Sequence, residues 1–150
     1  MEDLFDPNTH GQIRSRVLAL TPESPRQWGS MSPTQMVAHC ARGVQMATGE
    51  LNLPRVFVGR ILGPIVKPLA LKEGTPMKRN SPTAPGLLVG LDGEFETRRA
   101  DLVAELDRFS AAGPAGCTTH PHPFFGPLTP AQWSRMMYKH LDHHLRQFNV

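Results

Sequence analysis

The stretch Leu128–Val150, LTPAQWSRMMYKHLDHHLRQFNV, constrains the fold most, because it is a well-marked helix with histidine where a buried stripe calls for leucine. Thr129 suits the cap, Pro130 the first helical position, and Gln132 completes a capping box, so the helix starts near Pro130. From there Trp133, Met137, His140, His144 and Phe148 recur at steps of three and four and define one buried face. His140 and His144 stand one turn apart, about 6 Å along the axis and about 40° around it, so both rings can address one small object. An imidazole in an apolar stripe has two nitrogens to satisfy, and one left unpaired away from water costs about 1–3 kcal/mol. Each ring therefore either hydrogen-bonds to a neighbouring helix or ligates a metal, and a pair at this spacing with His143 beside it on a different face favours the metal. A structural zinc takes four nitrogen or sulfur ligands and a catalytic one takes three plus a water, so a third histidine must come from elsewhere in the chain.

At 150 residues and 39% hydrophobic, the chain suits one domain spanning 1–150 around a single core. A net charge of +3 is a mild basic lean and not the dense stripe of a nucleic-acid binder, so no nucleic-acid partner is expected. Cys40 and Cys117 are the only cysteines and form no CxxC, which indicates neither a disulfide framework nor a zinc ribbon. The opening MEDLFDPNTH is acidic and polar where a signal peptide is basic and then apolar, and no run of about eighteen apolar residues occurs. A cytoplasmic protein with no membrane span is the expectation.

In chain order, a first helix runs from about Asp6 to Leu20, with Ile13, Val17 and Leu20 at helical intervals, and stops at Thr21-Pro22. The loop 21–31 contains Pro22, Pro25 and Gly29, with Trp28 as a wedge between helices. Ser32-Pro33-Thr34-Gln35 repeats the cap chemistry of the last helix and starts a second helix that runs to Thr48 or Gly49. On it Met36, His39, Cys40, Gly43, Val44 and Ala47 share a face, which makes His39 the best third ligand and Cys40 a core thiol.

Between Leu51 and Gly90 six prolines exclude a long helix, although Val56–Leu71 suits a short amphipathic or interfacial one. Arg55, Arg60, Lys67, Lys72, Lys78 and Arg79 face only Glu73 in this insert, as a solvated rim or as a lid that attracts an anionic substrate. Asp92–Ala112 is the next long helix, with Phe95, Leu102, Leu106 and Phe109 as its stripe. Asp92, Glu94 and Glu96 complement its positive end, and dipole and surface charge account for Glu94, Glu96 and Asp101 without a metal. In the linker 115–126, His120-Pro121-His122-Pro123-Phe124-Phe125-Gly126 reads as an extended, Phe-bearing plug whose spread rings disfavour a second metal site.

The whole is an all-α chain, a four-helix bundle with a long Pro-rich crossover between its second and third helices. QMVAHC in the second helix, paired with HPFFGPLTPAQWSRMMYKHLDHHLRQFNV at the end, resembles the DinB/YfiT-like superfamily of metal-binding bundles, with the closer match to its DUF1569 branch. The resemblance implies that a histidine of the second helix and an HxxxH pair of the last hold a divalent metal, zinc or nickel; these correspond to His39, His140 and His144. Some members of the superfamily are thiol S-transferases, which implies a small-molecule thiol or an electrophile as partner.

Two functions follow. In one, the three histidines hold an ion with an open position, and the protein is a metal-dependent thiol S-transferase or hydrolase, with His143 or His122 as candidate proton relays and no assigned catalytic side chain. In the other, the ion is structural or the histidines only hydrogen-bond, and a non-catalytic bundle serves partner binding or a stress response through an apolar end or a homodimer face.

Overall fold

A computed structural model describes residues 2–150 and contains five α-helices, two 3-10 turns and, among the described residues, no strand. Proline sets where three helices begin, because its missing amide is one the first turn cannot use. These are α1 (Pro7–Ala19), α2 (Pro33–Thr48) and, further on, α5 (Pro130–Gln147), preceded by the caps Asp6, Ser32 and Thr129. Asp6 accepts the Thr9 amide at 2.8 Å, and Ser32/Gln35 and Thr129/Gln132 both close full capping boxes. Helix α2 ends at Gly49, whose φ of 86° is the left-handed cap that glycine takes without strain.

The fourth helix, α4 (Phe95–Ala112), starts three residues later than the composition of its acidic lead suggests. Glu94 caps it, accepting the amides of Glu96 and Thr97, and these bonds hold its carboxyl below the usual range. Gly93, at φ 144°, keeps Asp92 outside the helix.

Helix α2 packs against α4 and α5, and α1 packs against the same two. Between them lie Ile13, Val17, Met36, Val44, Leu102, Leu106, Phe109, Trp133, Met137, Leu141, Leu145 and Phe148, all buried. Each such side chain contributes about 1.5–3 kcal/mol by leaving water. Helix α5 is buried well beyond the stripe read from its spacing, with Ser134, Met136 and Gln147 buried as well.

The fifth helix, α3 (Phe57–Ala70), is the short amphipathic helix expected over Val56–Leu71, so the count is five where a bundle of four was anticipated. It continues through Pro64 and Pro68. These prolines are one turn apart and exposed, and each removes the amide that the carbonyl four residues earlier, of Arg60 and of Pro64, would otherwise accept. It rests on the HPFFG segment, which is not extended. His122 and Gly126 exchange both backbone hydrogen bonds at 3.0 Å, closing a tight turn with Gly126 at φ 75°.

Helix α5 is also tied to the chain start. The fully buried Ser134 hydroxyl accepts the Leu4 amide at 2.7 Å and donates to Asp3 at 2.6 Å. Replacing it by alanine strands a buried amide, so Ser134→Ala is expected to lower the unfolding free energy by about 1–3 kcal/mol. Urea unfolding measures this as a lower midpoint at unchanged slope.

Candidate metal centre

The capping boxes fix the start of α2 and of α5, and thereby the faces on which their histidines fall. His140 and His144 lie on successive turns of α5, and His39 meets them from α2. The three ring centroids form a near-equilateral triangle, 4.8 Å on each side, with the rings steeply inclined at 69°, 73° and 88°. One ligand nitrogen from each lies within 4.8 Å of the others. His39 and His140 are buried, and His144 is partly exposed.

The hydrogen bonds around the triangle settle two tautomers. His39 Nδ1 is 3.0 Å from the carbonyl oxygen of Leu87, which can only accept, so Nδ1 carries the proton and Nε2 a lone pair. Leu87 belongs to the 3-10 turn Pro85–Leu87, held on α2 by Arg42, which donates to Gly86 O at 2.7 and 3.1 Å. His144 Nδ1 is 2.8 Å from Gln147 Oε1. The Gln147 amide donates through Nε2 to Trp28 O at 2.7 Å, so its oxygen faces the ring and His144 Nδ1 is again the donor. His144 Nε2 is therefore also a lone pair.

His140 completes the set. Its Nε2 is 2.9 Å from His39 Nε2, a separation that serves a hydrogen bond and also suits two nitrogens converging on one ion. Its Nδ1 is buried with no hydrogen-bond partner and lies against Gly43. A Cβ at Gly43 would stand 2.9 Å from both Nδ1 and Cε1 of His140, so the glycine is what lets this ring press onto α2.

Burial holds all three imidazoles below their ordinary pKa. It lowers His39, pushes His144 down to about 3 and, reinforced by the neighbouring histidines, keeps His140 well below 6.5. Neutral rings are the form that donates a lone pair.

The other candidates have different work. Cys40 is a buried thiol 3.6 Å from the Met36 sulfur, with its pKa raised by burial. His143 rests on Trp28, ring centroids 5.5 Å apart, and the Arg79 guanidinium lies 4.0 Å above the indole. His120 bonds to Leu53 O. His122 is buried between Phe125 and Trp133, and its Nδ1 accepts the amides of Phe124 and Phe125. Burial pushes its pKa down to about 4. Glu96 pairs with Arg99 and Asp101 with Arg98, and among the described residues no carboxylate joins the histidine group.

Spacing alone did not reach Leu87, Arg42 and Trp28, because each acts through its backbone or across a long loop. Two signals were local: Gln147 sits three residues after His144 on the same helix, and Gly43 is a mid-helix glycine one turn after His39.

The depressed values predict an acid-labile fold in the metal-free protein. The unfolded chain protonates His122 and His144 near 6.5, the folded one only near 4 and 3, so the unfolded state binds more protons throughout that window and stability falls. At pH 5 the loss is about 2 kcal/mol for each of the two rings. A urea midpoint lower at pH 5 than at pH 7, with a smaller drop in His144→Gln, is the expected result.

The family described as protein of unknown function (DUF1569) matches residues 6–150. No curated protein and no solved structure matches the chain. Since the match runs through both histidine-bearing helices and everything between them, the chain belongs to the DUF1569 family.

Proposed function

We propose that His39, His140 and His144 hold a divalent metal ion, zinc or nickel, and that the protein is a metal-dependent enzyme, a thiol S-transferase or a hydrolase. The observation that carries this reading is that one ligand nitrogen from each ring lies within 4.8 Å of the others, while Nδ1 is already committed at His39 to Leu87 O and at His144 to Gln147 Oε1. Such outer partners orient metal-ligating imidazoles and fix their tautomers. Gly43 supports it too, since the space it leaves is taken by the His140 ring and not by a packed side chain.

Three nitrogen donors, with no fourth histidine, cysteine or carboxylate in the group among the described residues, suit an open catalytic position better than a closed structural site. An ion held by neutral imidazoles alone supplies Lewis acidity with its charge uncompensated, which favours the deprotonated form of a thiol or of water. The chain's own part is to keep His39 and His140 dry and to hold all three rings neutral by burial; a small thiol or electrophile would approach past His144, the partly exposed member of the set. In this reading α1, α2, α4 and α5 form a single four-helix-bundle domain of the DinB/YfiT-like type, as the pairing of QMVAHC with HPFFGPLTPAQWSRMMYKHLDHHLRQFNV suggests.

A second reading rests on the 2.9 Å approach of His39 Nε2 to His140 Nε2, which lets these rings bond to each other without an ion in a non-catalytic bundle.

Elemental analysis of protein purified without a histidine tag separates the two. Stoichiometric zinc or nickel in the wild type, lost in His140→Ala and reduced about tenfold or more in affinity in Gly43→Ala, is expected of the metal centre. A metal-free wild type that resists reconstitution leaves the hydrogen-bonded pair. Activity is read separately: thiol conjugation to an electrophile and ester hydrolysis are expected to fall by at least about a hundredfold in His140→Ala, and equal rates in both proteins would remove the enzyme.

A further inference from the structure

Helix α3 is packed inside out. Gly59 and Gly63, one turn apart, are its buried residues and lie directly on the Pro123–Phe125 backbone. A Cβ at Gly59 would come within 2.6 Å of Phe124 Cα, and one at Gly63 would collide with the Phe124 carbonyl. The Val56 amide donates to Pro123 O at 3.0 Å and Lys67 Nζ to Pro127 O at 2.6 Å, which fixes the same orientation.

At 100° per residue, the side opposite the glycines carries Phe57, Val58, Ile61, Ile65 and Leu69. They are 75%, 54%, 57%, 73% and 63% exposed. Single exposed apolar residues are ordinary, but a continuous stripe of five along one helix marks an interaction surface.

Charge selects the occupant. Helix α3 contains Arg60 and Lys67 and no acidic residue, and Glu73 is the only acid between residues 51 and 90 against six cations. A self-complementary contact between two copies would place Arg60 and its surroundings against their own counterparts, like charge on like. A lipid surface with anionic headgroups supplies the opposite charge and accepts the apolar side chains.

We propose that α3 is an interfacial helix that seats the protein on an anionic bilayer. Phe57, Ile61, Ile65 and Leu69 enter the boundary between headgroups and acyl chains, and the exposed Arg60 and Lys72 meet the lipid phosphates. No helix among the described residues is long and apolar enough to cross a membrane, so the association is with one leaflet. It is independent of the histidine cluster and of any ion there.

Co-sedimentation of the full chain with vesicles tests it. The wild type is expected to bind vesicles of equal phosphatidylglycerol and phosphatidylcholine, to bind pure phosphatidylcholine more weakly, and to be partly released by salt. The Ile61→Ser/Ile65→Ser double variant should bind the anionic vesicles at least about tenfold more weakly, and Arg60→Glu should lose the preference for them. These side chains are exposed, so melting curves of the variants should overlay that of the wild type. Phe57→Trp supplies a readout with the face intact: a blue-shifted emission quenched by brominated lipid places position 57 in the bilayer. A wild type that stays in the supernatant with anionic vesicles, or binding that the double variant retains, overturns the proposal. So does a wild-type dimer in analytical ultracentrifugation that binds no vesicles and that Ile61→Ser/Ile65→Ser dissociates, which would give the face to a second copy.

Discussion

A buried imidazole has two nitrogens to account for, and the way His39, His140 and His144 do so organises segments far apart in the chain. His39 takes the Leu87 carbonyl, on a 3-10 turn Pro85–Leu87 held against α2 by Arg42 and by burial of the Leu87 side chain. His144 takes Gln147, whose own amide reaches Trp28 and whose carbonyl accepts the Gln27 amide. The long insert and the loop between α1 and α2 thus each contribute to one ring. The Nδ1 of His140 has no such partner, a state it shares with the buried indole nitrogens of Trp28 and Trp133. Leaving it so costs about 1–3 kcal/mol, a cost that folds tolerate most often where a site has work to do.

The HPFFG turn links that cluster to the most unusual surface of the molecule. His122 folds its ring back to accept two amides of the turn, Trp133 of α5 packs beneath it, and the glycines of α3 lie on top. Glycine is a poor helix former, and two of them in α3, together with two prolines, work against a free-standing helix. What offsets this is contact with the turn on one side; the other presents large apolar side chains to the exterior. The opposite arrangement, isoleucine inward and glycine outward, would be the better helix for a protein surrounded by water alone.

The helix starts were legible in the sequence because capping is local chemistry: Asp6-Pro7, Ser32-Pro33 and Thr129-Pro130 each carry the acceptor and the proline within two residues. The start of α4 was less so. Asp92 and Glu94 are both acceptable caps, and the choice fell to Glu94 because Gly93 takes a φ of 144° that keeps its neighbour out of the helix. Alternating proline in HPHPFFG suggested an extended linker, but Gly126 at φ 75° reverses the chain and the His122 ring closes the turn, a side-chain contribution that propensity does not encode. The inward face of α3 was hidden for a related reason: apolar spacing locates a stripe but does not say whether protein lies beneath it.

From its sequence alone this chain was committed to being helical, to beginning its helices at particular prolines, and to placing His39 on one apolar face and His140 and His144 on another. Those are consequences of period and capping, which depend on residues within a turn of one another. Only the tertiary structure decided that the two faces meet, which nitrogen of His39 and His144 carries the proton, and that α3 lies on the protein through its glycines. Each of these depends on a partner many residues away, such as Leu87, Trp28 or Phe124, whose position is set by packing of the whole and is invisible to any local pattern.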